Sequence, residues 1–219
     1  MKSITRRRFL QSSAVGAVAL TQLPTALRAA DADHKLKLGV IGCGWYGMVD
    51  AKAALKAGGV EIIALCDADS AHLSRSAAEL EKLQGKCPLT FKHHADLLKV
   101  SELEAVIIGS PPQWHALQLI AALDRGLDVY CEKPLCYDIR EGRAMVDAVK
   151  KSGRIVQIGF QRRQSGAFKA VRQHVQDGNA GRIICAEANI HYTAGTADAT
   201  PQPPPASLDW DLWCGPAPK

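Results

Sequence analysis

From Lys35 onward, short apolar runs alternate with longer amphipathic ones. The apolar runs are Leu36–Ile41, Glu61–Cys66, Ala105–Gly109, Asp128–Cys131 and Ile155–Phe160, each four to six residues long, with a weaker one at Leu89–Phe91. Between them, apolar positions recurring at the helical period predict helices over Tyr46–Ala57, Ser70–Leu83, Trp114–Asp124 and Ile139–Lys150. Strands this uniformly apolar have no wet face, so with helices between them they require a parallel sheet covered on both sides. The expected fold is a doubly wound α/β domain over residues 35–160. Gly58-Gly59, Arg125-Gly126 and Ser152-Gly153 stand where the helices must stop, in keeping with glycine's use after helix C-termini.

After Phe160 the pattern changes. A helix over Ala167–Gln176, a turn at Asp177-Gly178-Asn179 and a long strand over Arg182–Tyr192 are predicted. Six of the 11 prolines then fall between Pro201 and Pro218, so the final stretch is expected to be irregular. One helix and one strand cannot cover each other, and about 60 residues is close to the lower limit for an independent core. The strand would also be an edge without a partner. Residues 161–219 are therefore expected to be the start of a second, α+β domain, incomplete here, and the chain a C-terminally truncated part of a longer protein.

The 219 residues are 47% hydrophobic and 22% charged, which excludes a disordered tail, a collagen-like fibre and a small disulfide scaffold. The net charge of +5 would suggest a polyanionic partner if it were spread over the fold. Residues 1–32, however, carry five basic side chains against Asp31, leaving the remainder at +1. No basic stripe with interleaved aromatics survives, and a nucleic-acid partner loses its support. Thr5-Arg6-Arg7-Arg8-Phe9-Leu10-Gln11, the weakly apolar Ala14–Leu20 and the small-x-small triplet Ala30-Asp31-Ala32 resemble a twin-arginine export signal over residues 1–32. A basic amphipathic N-terminus is the competing reading. The export reading implies a periplasmic protein delivered already folded. No other segment reaches the ~20 apolar residues of a membrane span, so no span is expected. The seven cysteines contain no C-x-x-C pair and read as scattered core thiols, with no metal site. An oxidising destination leaves one disulfide open.

Gly42-Cys43-Gly44-Trp45-Tyr46-Gly47 fits G-x-G-x-x-G, follows a predicted strand and opens a predicted helix. In that setting the first glycine allows a tight turn, the second a close approach to a pyrophosphate and the third close helix–strand packing. The helix N-terminus offers free N–H groups and a positive dipole to the anion. Asp67 follows 25 residues after Gly42, at the end of the next strand. A carboxylate there accepts from both ribose hydroxyls and repels a 2′-phosphate, which favours NAD over NADP. A simple helix N-cap is the rival reading of Asp67.

Glu132-Lys133-Pro134 follows the fifth strand, Ser110-Pro111-Pro112-Gln113-Trp114-His115 the fourth, and Gly159-Phe160-Gln161-Arg162-Arg163 the sixth. Together with the glycine turn, these motifs resemble the Gfo/Idh/MocA oxidoreductases, the relatives of glucose-fructose oxidoreductase and inositol dehydrogenase. The resemblance runs from about Leu36 to the end, where Asp209-Trp210-Asp211-Leu212-Trp213-Cys214-Gly215-Pro216 looks like the tryptophan-rich loop of exported members. It implies a Rossmann fold and hydride transfer between a sugar or polyol carbinol and a tightly bound nicotinamide. It places Lys133 beside the nicotinamide as the catalytic acid/base, at a partly desolvated position. Trp45, Tyr46, Ser110, Pro111, His115, Glu132 and Gln161 join Gly42, Gly44, Gly47 and Asp67 around the cofactor, and Arg162 and Arg163 face the substrate. Read without the family, Lys133 is equally a surface lysine paired with Glu132, His115 a helix-surface residue, and the arginines a solvated turn. The family's Asp-x-x-x-His pair does not occur after Lys133. Two other readings therefore stay open: a redox-neutral NAD-dependent glycosidase, and an NAD-binding fragment without activity. The resemblance also implies a homo-oligomer for the full-length protein.

Overall fold

A computed structural model of the chain describes residues 34–189 and 200–217. The proposed leader, residues 1–32, lies outside the described residues. Six strands form one sheet: β1 (Leu36–Ile41), β2 (Val60–Cys66), β3 (Leu89–Phe91), β4 (Ala105–Ile108), β5 (Asp128–Glu132) and β6 (Val156–Gly159). All neighbours are parallel and the order is β3-β2-β1-β4-β5-β6. The chain reverses its direction of travel across the sheet between β1 and β4, and that switch point opens a crevice at the C-terminal ends of the strands.

The connecting helices are α1 (Trp45–Ala57), α2 (Ser70–Gln84), the short α3 (His94–Leu97), α4 (Pro112–Asp124) and α5 (Ile139–Ser152). They cover both faces, as the apolar strands require. Successive β4 residues sort accordingly: Ala105 and Ile107 pack with Leu38, Val40 and Ile62, while Val106 and Ile108 pack with Ile41 and Leu119 in a separate cluster. Asp69 caps α2 by accepting from the Ala71 and His72 N–H groups, and Asp138 caps α5 by accepting from Glu141 N–H. Helix α4 starts two residues before the expected Trp114, because Pro112 suits a first helical position where no N–H is needed.

Beyond β6, a 3-10 turn (Gln161–Gln164) leads into α6 (Gly166–Gln176), which buries no residue and leaves Phe168, Val171 and Val175 exposed along one side. The strand expected over Arg182–Tyr192 does not form. Residues 182–189 are exposed and irregular, and residues 190–192 lie outside the described residues. With no neighbouring strand to pair with, water satisfies this backbone better than an extended edge would. The end is irregular over residues 200–209, as expected, but Trp210–Cys214 forms a helical turn, α7, capped by Asp209. All seven cysteines are free; Cys87 and Cys185 are exposed rather than core thiols. Burial and the neighbouring Asp67 and Asp96 push the Cys66 thiol up to about 12. No helix among the described residues is long and apolar enough to cross a membrane.

The core makes α4 a sharp test of packing. Leu119 is 0% exposed and Leu117, on the same helix, 47% exposed. Leu119→Ala is expected to cost about 2–5 kcal/mol in urea unfolding with an unchanged m-value, and Leu117→Ala to stay within about 0.5 kcal/mol.

Candidate functional site

The switch-point crevice begins with the turn between β1 and α1. Gly42 has φ +81°, and a Cβ on it would lie 2.5 Å from the Ser110 nitrogen. A Cβ on Gly47 would overlap the Gly42 carbonyl oxygen. Gly44 differs: the nearest atom to a Cβ there is a His72 ring nitrogen at 3.6 Å, so it borders open space. Gly44 is also the N-cap of α1, with no side-chain cap and no acidic residue in the first turn. The first N–H groups of a 13-residue helix thus face the crevice without a protein acceptor at the cap, an arrangement that fits a pyrophosphate.

Asp67 sits at the end of β2. Its Oδ2 accepts from Cys43 N–H at 2.9 Å and its Oδ1 from Asp69 N–H at 2.9 Å. It is not an N-cap, because Asp69 caps α2. Each oxygen of Asp67 carries one backbone donor and keeps acceptor capacity for a hydroxyl. The residues present therefore fit a dinucleotide: glycines where the backbone must come close, free helix N–H groups and an acidic acceptor in the same crevice.

The crevice encloses about 640 Å³. Gly42, Gly44, Trp45, Asp67, Ser110 and Pro111 line it. Its opposite wall is unexpected: Pro205, Leu208, Leu212 and Trp213 from the proline-rich segment lie across it. Ser207 O accepts from both the N–H and the hydroxyl of Ser70, Asp209 N–H donates to Ala68 O, and Leu208 bridges to Asp69. Lys92 pairs with Asp209 at 2.5 Å, and this ammonium, with the Leu212 N–H, holds the Asp209 carboxyl below its usual range. Trp114 Nε1 donates to the Leu212 carbonyl at 3.0 Å, and Gly215 abuts the Trp114 ring. The segment forms a strap tied to the ends of β2, β3 and the start of α4.

A second cluster lies at the end of β5. Glu132 is 4% exposed; its Oε1 accepts from Gln161 Nε2 at 2.6 Å and its Oε2 from Lys133 N–H at 3.1 Å. The Lys133 ammonium stands 5.8 Å from the Tyr46 ring centroid, joining Tyr46 to this group. Lys133 was expected to be partly desolvated, yet it is exposed among the described residues. Nor does it pair with Glu132 through its ammonium: Glu132 is spent on backbone and amide donors.

His115 is the clearest departure. It is 1% exposed, outside the crevice, with Nδ1 2.7 Å from Pro134 O and Nε2 2.8 Å from Ser110 O. The ring lies between these two carbonyls, one of which can accept its N–H, so it packs between the Ser110 loop and the loop after β5 rather than in the crevice. Arg162 and Arg163 are exposed on the 3-10 turn, with the Arg163 guanidinium 5.5 Å from the Phe160 ring. They are not brought to the crevice. The sequence reading singled out the Trp114 motif and the Asp209–Pro216 loop but missed that they meet, and missed Lys92, because these partners lie far apart along the chain. It also missed Asp50, on α1. A carboxylate three residues after Gly47, near the helix face that meets the sheet, was a signal available in the sequence.

Residues 36–160 match the oxidoreductase family with an NAD-binding Rossmann fold. The chain is 30% identical over 169 residues to inositol 2-dehydrogenase 4 of Saccharopolyspora erythraea, covering 74% of this chain and 48% of that protein. It is 32% identical over 171 residues to inositol 2-dehydrogenase of Salmonella typhimurium, covering 76% and 49%. The chain spans about half the length of these relatives. Among solved structures, myo-inositol 2-dehydrogenase from Lactobacillus plantarum aligns with TM-score 0.63 and 30% identity, over 68% of this chain and 43% of that one. The scyllo-inositol dehydrogenase from Lactobacillus casei, solved with NAD(H) and scyllo-inositol, aligns with TM-score 0.62 and 27% identity, over 67% and 42%. Strand order, glycine turn and these likenesses agree: the chain belongs to the Gfo/Idh/MocA oxidoreductase family, and residues 36–160 form its NAD-binding Rossmann domain.

Proposed function

We propose that the chain serves an NAD-linked oxidoreductase of sugars or polyols, exported to the periplasm with its nucleotide already bound. The observation that carries this reading is the shared crevice of an uncapped α1 N-terminus and the Asp67 carboxylate. The inositol dehydrogenases among its relatives support the polyol class.

The α1 N–H groups and the glycine turn hold the pyrophosphate, and Asp67 accepts from the ribose hydroxyls. Lys92, the one lysine lining the crevice among the described residues, is engaged by Asp209. A 2′-phosphate would then meet Asp67 without a free cation, which favours NAD. Bound NAD supplies the hydride acceptor. Lys133 accepts the hydroxyl proton while the carbinol becomes a carbonyl, and returns it in the reverse direction. The strap supports slow nucleotide exchange, which suits a compartment without a free nucleotide supply.

Four outcomes follow. In fluorescence titrations of the full chain, Asp67→Ala is expected to weaken NAD binding roughly 30-fold, from the loss of charge-assisted hydrogen bonds of about 2 kcal/mol. Lys133→Ala should lose roughly 100-fold or more in kcat across a sugar and polyol panel. Absence of nicotinamide reduction by the wild type with every member of the panel overturns the oxidoreductase reading. In stopped-flow displacement, Asp209→Ala should release NAD roughly threefold to tenfold faster, because the strap loses its ion pair and helix cap. Replacing both Arg6 and Arg7 with lysine should leave the protein in the cytoplasmic fraction while the wild type reaches the periplasm.

A further inference from the structure

Asp50 lies on α1, three residues after Gly47, and its Oδ2 is buried with no hydrogen-bond donor. It faces Glu132 from across the end of β5. Glu132 cannot easily move away. Gln161 and the Lys133 backbone hold its two oxygens, Tyr130 approaches Oε1 at 3.4 Å, and Gly159 is packed so tightly against Oε1 that a Cβ there would overlap it. Tyr46, Tyr130, Gln161 and the Lys133 backbone complete the surroundings. The Lys133 ammonium is directed to the Tyr46 ring. Two ionised carboxylates in this position would repel each other with no cation between them.

We infer that Asp50 and Glu132 share a single proton, and that this proton keeps Glu132 in place beneath Gln161 and Lys133. With it, Asp50 Oδ2 becomes a donor to Glu132, the orphaned atom acquires a partner, and the pair carries one negative charge instead of two. Burial, then the Glu132 charge and its hydrogen bond, push the Asp50 carboxyl up to about 7. When the proton leaves, repulsion from Asp50 works against the hydrogen bonds that Gln161 and the Lys133 N–H make to Glu132. Asp50 is thus a positioning residue, acting on Lys133 through Glu132. The proton sharing is independent of the proposed reaction, and only the nucleotide readout rests on it.

The folded state binds a proton that the unfolded chain releases near pH 4, so stability must fall as pH rises from about 4 to about 7 and then level. The nucleotide-free full chain, its Asp50→Asn variant and its Glu132→Gln variant are compared by infrared difference spectroscopy at pH 6 and by melting temperature between pH 4 and 9. The wild type should show a neutral carboxyl band that both variants lack, and Asp50→Asn should gain on the wild type from pH 4 to 7, ending higher at pH 8. A wild type without that band, or melting curves that run parallel, overturns the shared proton; the wild-type spectrum decides even if a variant does not fold. NAD affinity, read by tryptophan fluorescence, should weaken several-fold from pH 6 to 8.5 in the wild type and stay level in Asp50→Asn. Parallel profiles overturn the positioning role. Failure of NAD to bind at any pH overturns the nucleotide reading and leaves the band and melting tests to decide the proton.

Discussion

The contact between the β1–α1 turn and the end of β4 is the constraint on which the site depends. Three glycines meet there: a Cβ on Gly109 would lie 2.7 Å from the Gly47 Cα, one on Gly47 would strike Gly42, and one on Gly42 would strike Ser110. Any side chain at these positions would pry α1 from the sheet. Because the helix is held so close, its N-terminus opens onto the strand ends rather than over the side of the sheet. Asp67 completes the lock by accepting from Cys43 N–H, tying the turn to the end of β2. The groups that would bind a pyrophosphate and a ribose are therefore positioned by the same packing that closes the core.

The centre of the sheet was legible because β1, β2 and β4 are largely buried, so nearly every position there repeats the same apolar message. The glycine turn was legible because its spacing is local. What escaped prediction depends on contacts between residues far apart in the chain. Leu212 receives a hydrogen bond from Trp114, and Asp209 pairs with Lys92, across separations that no periodicity records. His115 looked like a cofactor neighbour because its loop faces the crevice, yet its ring is buried between the Ser110 and Pro134 carbonyls. The strand over Arg182–Tyr192 failed for the complementary reason. Its residues favour extended backbone, but a strand needs a neighbour, and residues 182–189 have none.

The strap changes what the proline-rich composition means. Prolines exclude regular structure without excluding fixed structure. Ser207 and Asp209 are held by backbone bonds to Ser70 and Ala68, while Pro205 and Leu208 present apolar surface to the crevice. A chain stiffened by proline loses less freedom on being tied down, so a few bonds suffice to keep it across the opening. The same segment binds Lys92, removing the cation that a 2′-phosphate would need.

Asp67 and Glu132 show how position decides the task of a carboxylate. Both stand at the C-terminal ends of strands in one sheet, and both accept from backbone N–H groups. Asp67 takes one donor on each oxygen and lines an open crevice, so its remaining lone pairs can serve a ligand. Glu132 is 4% exposed, with donors from three residues and a second carboxyl against it. A ligand cannot reach it without breaking bonds already made. Its influence on chemistry must then pass through what it holds, the Lys133 backbone and Gln161, so whatever governs its charge also governs where the lysine stands.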